Sequence, residues 1–281
     1  MILAEIFKRV KPATVAIGTR IQGKPVVIGT GFNVDPSGIV VTCKHVVEGF
    51  LLSHKNFPQY SIPPGETFGR IIIKTLETFA IFTKVAGDQI EVEGISPFFI
   101  GGPHTRDVAV MKLHRSGKPY PYIDLADSDE VQEGDAVATC GFPLGLAIGQ
   151  GAISGTSSFQ AGIVSAVLPH QEVPKHLRIA LQLDMTVNPG NSGGPLFLQS
   201  TGAVVGILSA ALTNALEIVE ENQNEEQRSK ASTASVSVPT GLSYAVPINI
   251  VKNWIGRLTD MTEADLVTLQ NGRLPEGWDA L

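Results

Sequence analysis

Short apolar runs, each cut off by a glycine or proline turn signal, are what most limits the fold of this 281-residue chain. "ATVAIGTR" and "PVVIGTGFNV" are rich in β-branched residues, "DPSG" (35–38) is a turn signal, and "IVVTC" (39–43) resumes as a strand. "RIIIK" and "FAIFTKV" follow, then "DVAVMKL" (107–113), whose mix of apolar and polar positions is read as a half-buried strand. "AVATCGF" (136–142), "AGIVSAV" (161–167), "LRIALQLD" (177–184), "AVVGILSA" (203–210) and "LSYAVP" (242–247) repeat the pattern. The 29 glycines supply turns for such a design, and the spacing predicts antiparallel barrels or sandwiches. Helical spacing is confined to the ends. Ile2, Ile6 and Val10 form one face of a helix stopped before Pro12. "PINIVKNWIGRL" (247–258) and the capped "TEADLVTLQNG" (262–272) predict two more.

Three stretches break the rhythm. Residues 50–69 carry three prolines and no period, so a long loop is expected. Residues 114–135, polar and ending "DSDEVQEGD", read as a linker between two halves. Residues 214–240, acidic and then rich in serine and threonine, read as a mobile insertion.

The net charge of −6 argues against nucleic acid as a partner. No apolar run is long enough to span a membrane, and no zinc-like spacing of cysteine and histidine exists, so neither metal nor cofactor is expected. Cys43 and Cys140 leave two readings, buried free thiols or one bridge, and the first is preferred. The start has no leader pattern. If Met1 is the native start, an intracellular, cytoplasmic location is expected.

"NPGNSGGP" (188–195) raises the question of chemistry. Serine is a weak nucleophile that needs a base, a group to orient the base, and donors for the developing oxyanion. By itself the stretch reads equally well as a glycine turn. Of six histidines, five lie in polar or loop-like surroundings. His45 alone follows an apolar strand and is the candidate base. Asp107 opens the "DVAVMKL" strand and is the candidate orienter, or else a turn cap.

In the order His45, Asp107, Ser192, these residues belong with a set of motifs: "GTGFNVDPSGIVVTCKHVVEG" (29–49), "RDVAVMKL" (106–113), "EGDAVATCGFPLGL" (133–146), "LQLDMTVNPGNSGGPLF" (181–197), "GAVVGILSA" (202–210) and "GLSYAVPINIVKN" (241–253). Together they resemble the HtrA (Deg) family of serine proteases across most of residues 1–255. The resemblance implies a mainly all-β, chymotrypsin/trypsin-like fold of two six-stranded antiparallel barrels with short terminal helices. The first barrel would cover about 12–117, the linker 118–135 and the second barrel 136–247, with a helical tail at 256–281 and no PDZ domain. It implies His45 as base then acid, Asp107 as orienter and Ser192 as nucleophile. Gly190, Asn191 and Ser192 would form the oxyanion loop, the amides of Gly190 and Ser192 donating. Asn191 stands where digestive relatives carry an aspartate, so activation by a freed N-terminal ammonium is not expected. Val187, Ala211 and Leu212 would line an apolar pocket for a small or medium aliphatic residue before the scissile bond.

The function expected is a serine endopeptidase acting on unfolded or flexible polypeptides. The alternative is a restrained member of the fold that binds or regulates. Polypeptides are the expected partners, and a homotrimer is the assembly that the resemblance suggests.

Overall fold

The computed structural model describes residues 2–21, 24–47, 68–72, 78–83, 90–103, 107–113, 119–143, 157–168, 180–219, 233–260, 262 and 264–265. The β-rich runs become strands β1 (Thr14–Ile21), β2 (Lys24–Asn33), β3 (Ile39–Thr42), β4 (Phe68–Ile72), β5 (Thr78–Thr83), β6 (Ile90–Pro103) and β7 (Ala109–Leu113). Their antiparallel pairings run β1–β2–β3–β7–β6–β5 and return to β1, with β4 added outside on β6. The first sheet therefore has seven strands where six were expected.

The second sheet is a closed barrel in the order β10-β13-β12-β11-β8-β9. Its strands are β8 (Ala136–Gly141), β9 (Ser158–Leu168), β10 (Ala180–Leu183), β11 (Pro195–Leu198), β12 (Val204–Val219) and β13 (Thr233–Pro247). Closure removes the open edges that would otherwise pair with other chains.

The "DPSG" turn forms as read: the Asp35 carboxylate accepts the Ser37 amide at 2.7 Å, and Gly38 takes φ +87°. It leads into β3, all four residues of which are buried. The segment from Tyr120 to Val131 is tied to both sheets. Ile123 N–H donates to the Asn33 carbonyl at 3.0 Å, and Ala126 N–H to the Val204 carbonyl at 2.8 Å.

Helix α1 (Leu3–Val10) buries Ile6 and Val10, but Ile2 is the residue capping its start and is exposed. Phe7 meets Phe159 of β9 edge to face at 5.1 Å. Helix α2 (Asn249–Thr259) buries Val251, Ile255 and Leu258. It begins two residues later than read, because Pro247 still closes β13. Thr262 and Asp265 exchange capping hydrogen bonds, while residues 266–272 of the third expected helix lie outside the described residues. One buried cluster joins the two halves, running from Val15, Phe32 and Met111 to Cys140, Phe197 and Val251.

Residues 214–240 depart most from expectation. β12 and β13 stay paired without a shift from Thr213↔Pro239 to Val219↔Thr233, so the flanks of this stretch are a hairpin rather than a mobile insertion. The average polarity hid a period of two. Leu216 pairs with Val236 and Ile218 with Ala234 across the ladder, and on β13 Thr233, Ser235 and Ser237 alternate with the apolar positions. Residues 220–232, like 50–67 of the other expected loop, lie outside the described residues, while Phe68 and Gly69 at the end of that expected loop belong to β4, which pairs with β6.

Candidate active site

Three elements bring the candidate residues together. The chain leaves β3 through a helical turn at 44–47 that carries His45. Asp107 stands two residues before β7, the strand beside β3. Ser192 sits in the loop entering β11. The Asp107 carboxylate grips His45 twice, Oδ2 lying 2.6 Å from the ring Nδ1 and Oδ1 accepting the backbone N–H at 3.0 Å. These two bonds fix both the position and the turn of the ring. The ring stays accessible, with 49% of the His45 side chain exposed against 29% for Asp107.

A third donor reaches the same carboxylate. Ser209 Oγ donates to Asp107 Oδ2 at 2.6 Å, and the Ser209 carbonyl accepts the Ser192 hydroxyl at 3.2 Å. Ser209 therefore links Asp107 to Ser192. Sequence reading passed over it inside "GILSA", where a serine at a strand end looks like any turn residue.

Burial raises the Asp107 pKa, but the bonds from His45 and Ser209 outweigh it and hold the group at about 2, against an ordinary 3.8. A carboxyl depressed in this way stabilises the fold above its unfolded value, and the contribution is lost as pH falls from about 4 toward 2. A shift of this size corresponds to about 2–3 kcal/mol. The urea midpoint of the wild-type chain should fall more steeply below pH 4 than that of Asp107→Asn, and parallel curves would refute the linkage.

The loop around Ser192 is shaped by its glycines. Gly190 takes φ +97° and Gly193 φ +85°, a region that other residues rarely enter. Asn191 N–H donates to Asn188, Gly193 N–H to Leu208 at 2.7 Å and Gly194 N–H to Asn191 at 2.9 Å. Among the described residues, the amides of Gly190 and Ser192 have no acceptor. Asn191 lies between them. Its amide is turned to Asn188 and its buried side chain reaches Gln160 at 3.3 Å.

Thr30, which the sequence reading quoted only as part of "GTGF", braces this loop. Its Oγ1 donates to the Gly190 carbonyl at 2.6 Å and accepts the Phe142 amide at 3.0 Å, while its N–H holds the Ser192 carbonyl at 2.9 Å. Thr30→Val keeps the shape and strips the hydroxyl, leaving a buried carbonyl and amide unmatched. A loss of about 1–3 kcal/mol in urea unfolding, with a lower kcat, is expected.

Cys43 and Cys140 are both free and buried. The Cys43 thiol lies within 4.8 Å of the His45 and Asp107 donor atoms, a grouping able in principle to hold a metal. Burial and the neighbouring Asp107 charge push its pKa well up, and it donates to the Leu208 carbonyl at 3.1 Å, so it is a protonated thiol and a poor ligand. Val187 is buried in the second barrel's core with Met185 and Leu208. The side chains of Ala211 and Leu212 lie outside the described residues, although their backbones belong to β12.

The family model for the trypsin-like peptidase domain matches residues 29–207, the stretch that contains all three candidate catalytic residues. The chain belongs to the trypsin-like peptidase family. Among curated relatives of this peptidase domain, a DegP-like periplasmic serine endoprotease of Halomonas elongata is 25% identical over 89% of this chain and 37% of its own length. The serine protease HhoA of Synechocystis is 29% identical over 80% of this chain and 41% of its own length. The chain thus spans about two fifths of the curated relatives it matches. Among solved structures, Deg5 superposes with a TM-score of 0.57 at 19% identity, covering 91% of this chain and 92% of that one. The HtrA-type protease AlgW with a tripeptide gives 0.55 at 20% identity, covering 91% and 63%.

These relatives overturn the intracellular expectation. The Halomonas elongata relative and one from Pseudomonas savastanoi are named periplasmic, which points to a periplasmic or extracellular location. Targeting is written in a leader rather than in the folded domain, so the residues of the barrels do not report it. Among the described residues, no helix is long and apolar enough to cross a membrane.

Proposed function

We propose that the chain is a serine endopeptidase that cleaves unfolded or flexible polypeptides. The observation that carries this reading is the Asp107 carboxylate, held by His45 on one side and by Ser209 on the other, with Ser209 in turn holding Ser192. His45 takes the proton of Ser192 as the hydroxyl attacks the scissile carbonyl, then passes it to the leaving amine. Asp107 keeps the proton on Nδ1, so that Nε2 is the atom that accepts. The amides of Gly190 and Ser192 receive the oxyanion, and water then releases the acyl group from Ser192 in the reverse sequence.

Val187, Ala211 and Leu212 line the pocket in this reading. With no charged residue among them, they favour a small or medium aliphatic side chain before the scissile bond. One methylene more or less is worth about 1–3 kcal/mol there, so selection is loose.

A second reading, a restrained binding or regulatory protein, is favoured by one observation. The single proton of the Ser192 hydroxyl points to the Ser209 carbonyl. Catalysis requires that hydroxyl to rotate to His45.

A fluorophosphonate probe together with casein digestion separates the two readings. Labelling and digestion by the wild-type chain, both lost in Ser192→Ala, support the peptidase. A folded wild-type chain that does not label leaves the restrained protein.

A further inference from the structure

β9 carries a polar side chain on a face where its strand pattern calls for an apolar one. Its ladder with β8 runs without a shift from Ala136↔Ile163 to Gly141↔Ser158, and Val164 then pairs with Leu183 of β10. Gln160, Gly162 and Val164 therefore share one side of the strand. Val164 is fully buried in the core of the second barrel. Gln160 stands on that same side, half-buried. The other side is anchored at the preceding residue, where the Phe159 ring lies 5.1 Å from Phe7 of α1 and 6.1 Å from Phe197 of β11, centroid to centroid. The strand is thus pinned next to Gln160, and a carboxamide turned inward needs a polar partner.

That partner is Asn191, whose Nδ2 donates to Gln160 Oε1 at 3.3 Å. Asn191 is 1% exposed. It packs so closely on the end of β8 that a Cβ built at Gly141 would come within 2.6 Å of Asn191 Oδ1 and 3.2 Å of its Cα. Its backbone is tied only within the loop: the N–H donates to the Asn188 carbonyl at 3.1 Å, and the carbonyl accepts the Gly194 N–H at 2.9 Å. The residue on either side of it, Gly190 and Ser192, supplies an amide that the peptidase reading assigns to the oxyanion. The Ser192 N–H shares a rigid peptide plane with the Asn191 carbonyl, and the Gly190 carbonyl shares one with the Asn191 N–H. Thr30 fixes the Gly190 carbonyl from the first sheet. Gln160 fixes the Asn191 side chain from the second.

We propose that Gln160 is a positioning residue for the Ser192 loop, holding the Gly190 and Ser192 amides convergent on one oxygen through its bond to Asn191. The proposal rests on the peptidase reading above. Gln160 acts through Asn191 rather than on the substrate. Its contribution therefore falls on the transition state, where charge develops on that oxygen, and not on the binding of the intact peptide. Both partners are neutral amides, so the hold needs no ion. Any side chain that keeps an acceptor in the place of Oε1 preserves it, and an apolar one of similar size loses it. The sequence gives little sign of this role, because Gln160 stands just ahead of "AGIVSAV" and its partner is 31 residues away.

The test compares Gln160→Leu, which removes the acceptor, with Gln160→Glu, which keeps one. Turnover of a fluorogenic peptide and hydrogen exchange of the 188–195 segment, followed by mass spectrometry, are measured in both. Gln160→Leu is expected to lower kcat about tenfold with KM within about twofold of wild type, short of the ~10²–10³ that follows the loss of an oxyanion donor. The same variant should exchange faster at 188–195. Gln160→Glu should keep kcat within about threefold of wild type, because its carboxylate still accepts from Asn191 Nδ2. If Gln160→Leu does not fold, Gln160→Met replaces it, offering no oxygen acceptor on an unbranched chain of similar length. An unchanged kcat in the apolar variant, a loss confined to KM, or equal losses in the apolar and Gln160→Glu variants overturns the proposal. If the wild-type chain cleaves no peptide, the peptidase reading fails and exchange alone decides. Wild-type exchange at 188–195 in the apolar variant then overturns the hold on Asn191, whereas faster exchange there and not in Gln160→Glu supports it.

Discussion

Asp107→Asn is expected to lower kcat about ten-thousandfold with little change in KM. The carboxylate accepts three donors: the His45 ring, the His45 backbone N–H and the Ser209 hydroxyl. An amide of the same shape has one oxygen and one NH₂ group, so it cannot serve all three. If its nitrogen replaces Oδ2, it presents donors to Nδ1 and to Ser209 Oγ. The imidazole must then accept at Nδ1 and carry its proton on Nε2, where it can no longer take one from Ser192. If the nitrogen replaces Oδ1, it opposes the His45 backbone N–H. Fluorophosphonate labelling rates and peptide turnover measure the loss. Ser209→Ala, which removes one of the three donors and leaves the tautomer intact, should cost far less. Equal losses for the two variants would refute this division of roles.

Gly193→Ala is expected to remove more than about 4 kcal/mol of stability and to abolish labelling of Ser192. The backbone at Gly193 has φ +85°, and a Cβ built there would collide with the Thr30 carbonyl and the Thr42 hydroxyl and lie 3.0 Å from the Cys43 nitrogen. None of these atoms is the end of a flexible side chain. Thr42 Oγ1 donates to that same Thr30 carbonyl at 2.7 Å, so the obstacle is the hydrogen-bonded seam between β2 and β3. The loop has to move, and Ser192 moves with it. Gly134 is the control. It has φ +91° with nothing within 4 Å of a built Cβ, so Gly134→Ala carries only the conformational cost, about 1–2 kcal/mol. Urea midpoints that fall equally in the two variants would show that strain rather than collision governs Gly193.

Much of the site was legible in one dimension. His45, Asp107 and Ser192 each stood beside a strand signal strong enough to place them, and the glycines around Ser192 marked a backbone that only glycine permits. Ser209 and Thr30 were not legible, because their roles are defined by partners far away in the chain. A serine inside β12 becomes a link between Asp107 and Ser192 only when the fold brings both against it. A threonine in β2 becomes a brace only when Gly190 is folded onto it. The 214–240 stretch failed for a different reason. Its composition was averaged over a window, and an alternating apolar arm inside an acidic, serine-rich context does not survive averaging.

Period-two runs and glycine turns are local properties, so the sequence by itself determined an antiparallel β fold of barrels or sandwiches, and its motifs, through their resemblance to a family, supplied the two-barrel arrangement and the candidate residues His45, Asp107 and Ser192. Tertiary structure alone decided two further things: the addition of β4 to the first sheet and the carboxylate shared by His45 and Ser209. Each depends on which strand lies beside which, and pairing is settled by backbone hydrogen bonds and burial between segments that are distant in the chain. Neither leaves a mark in any one segment.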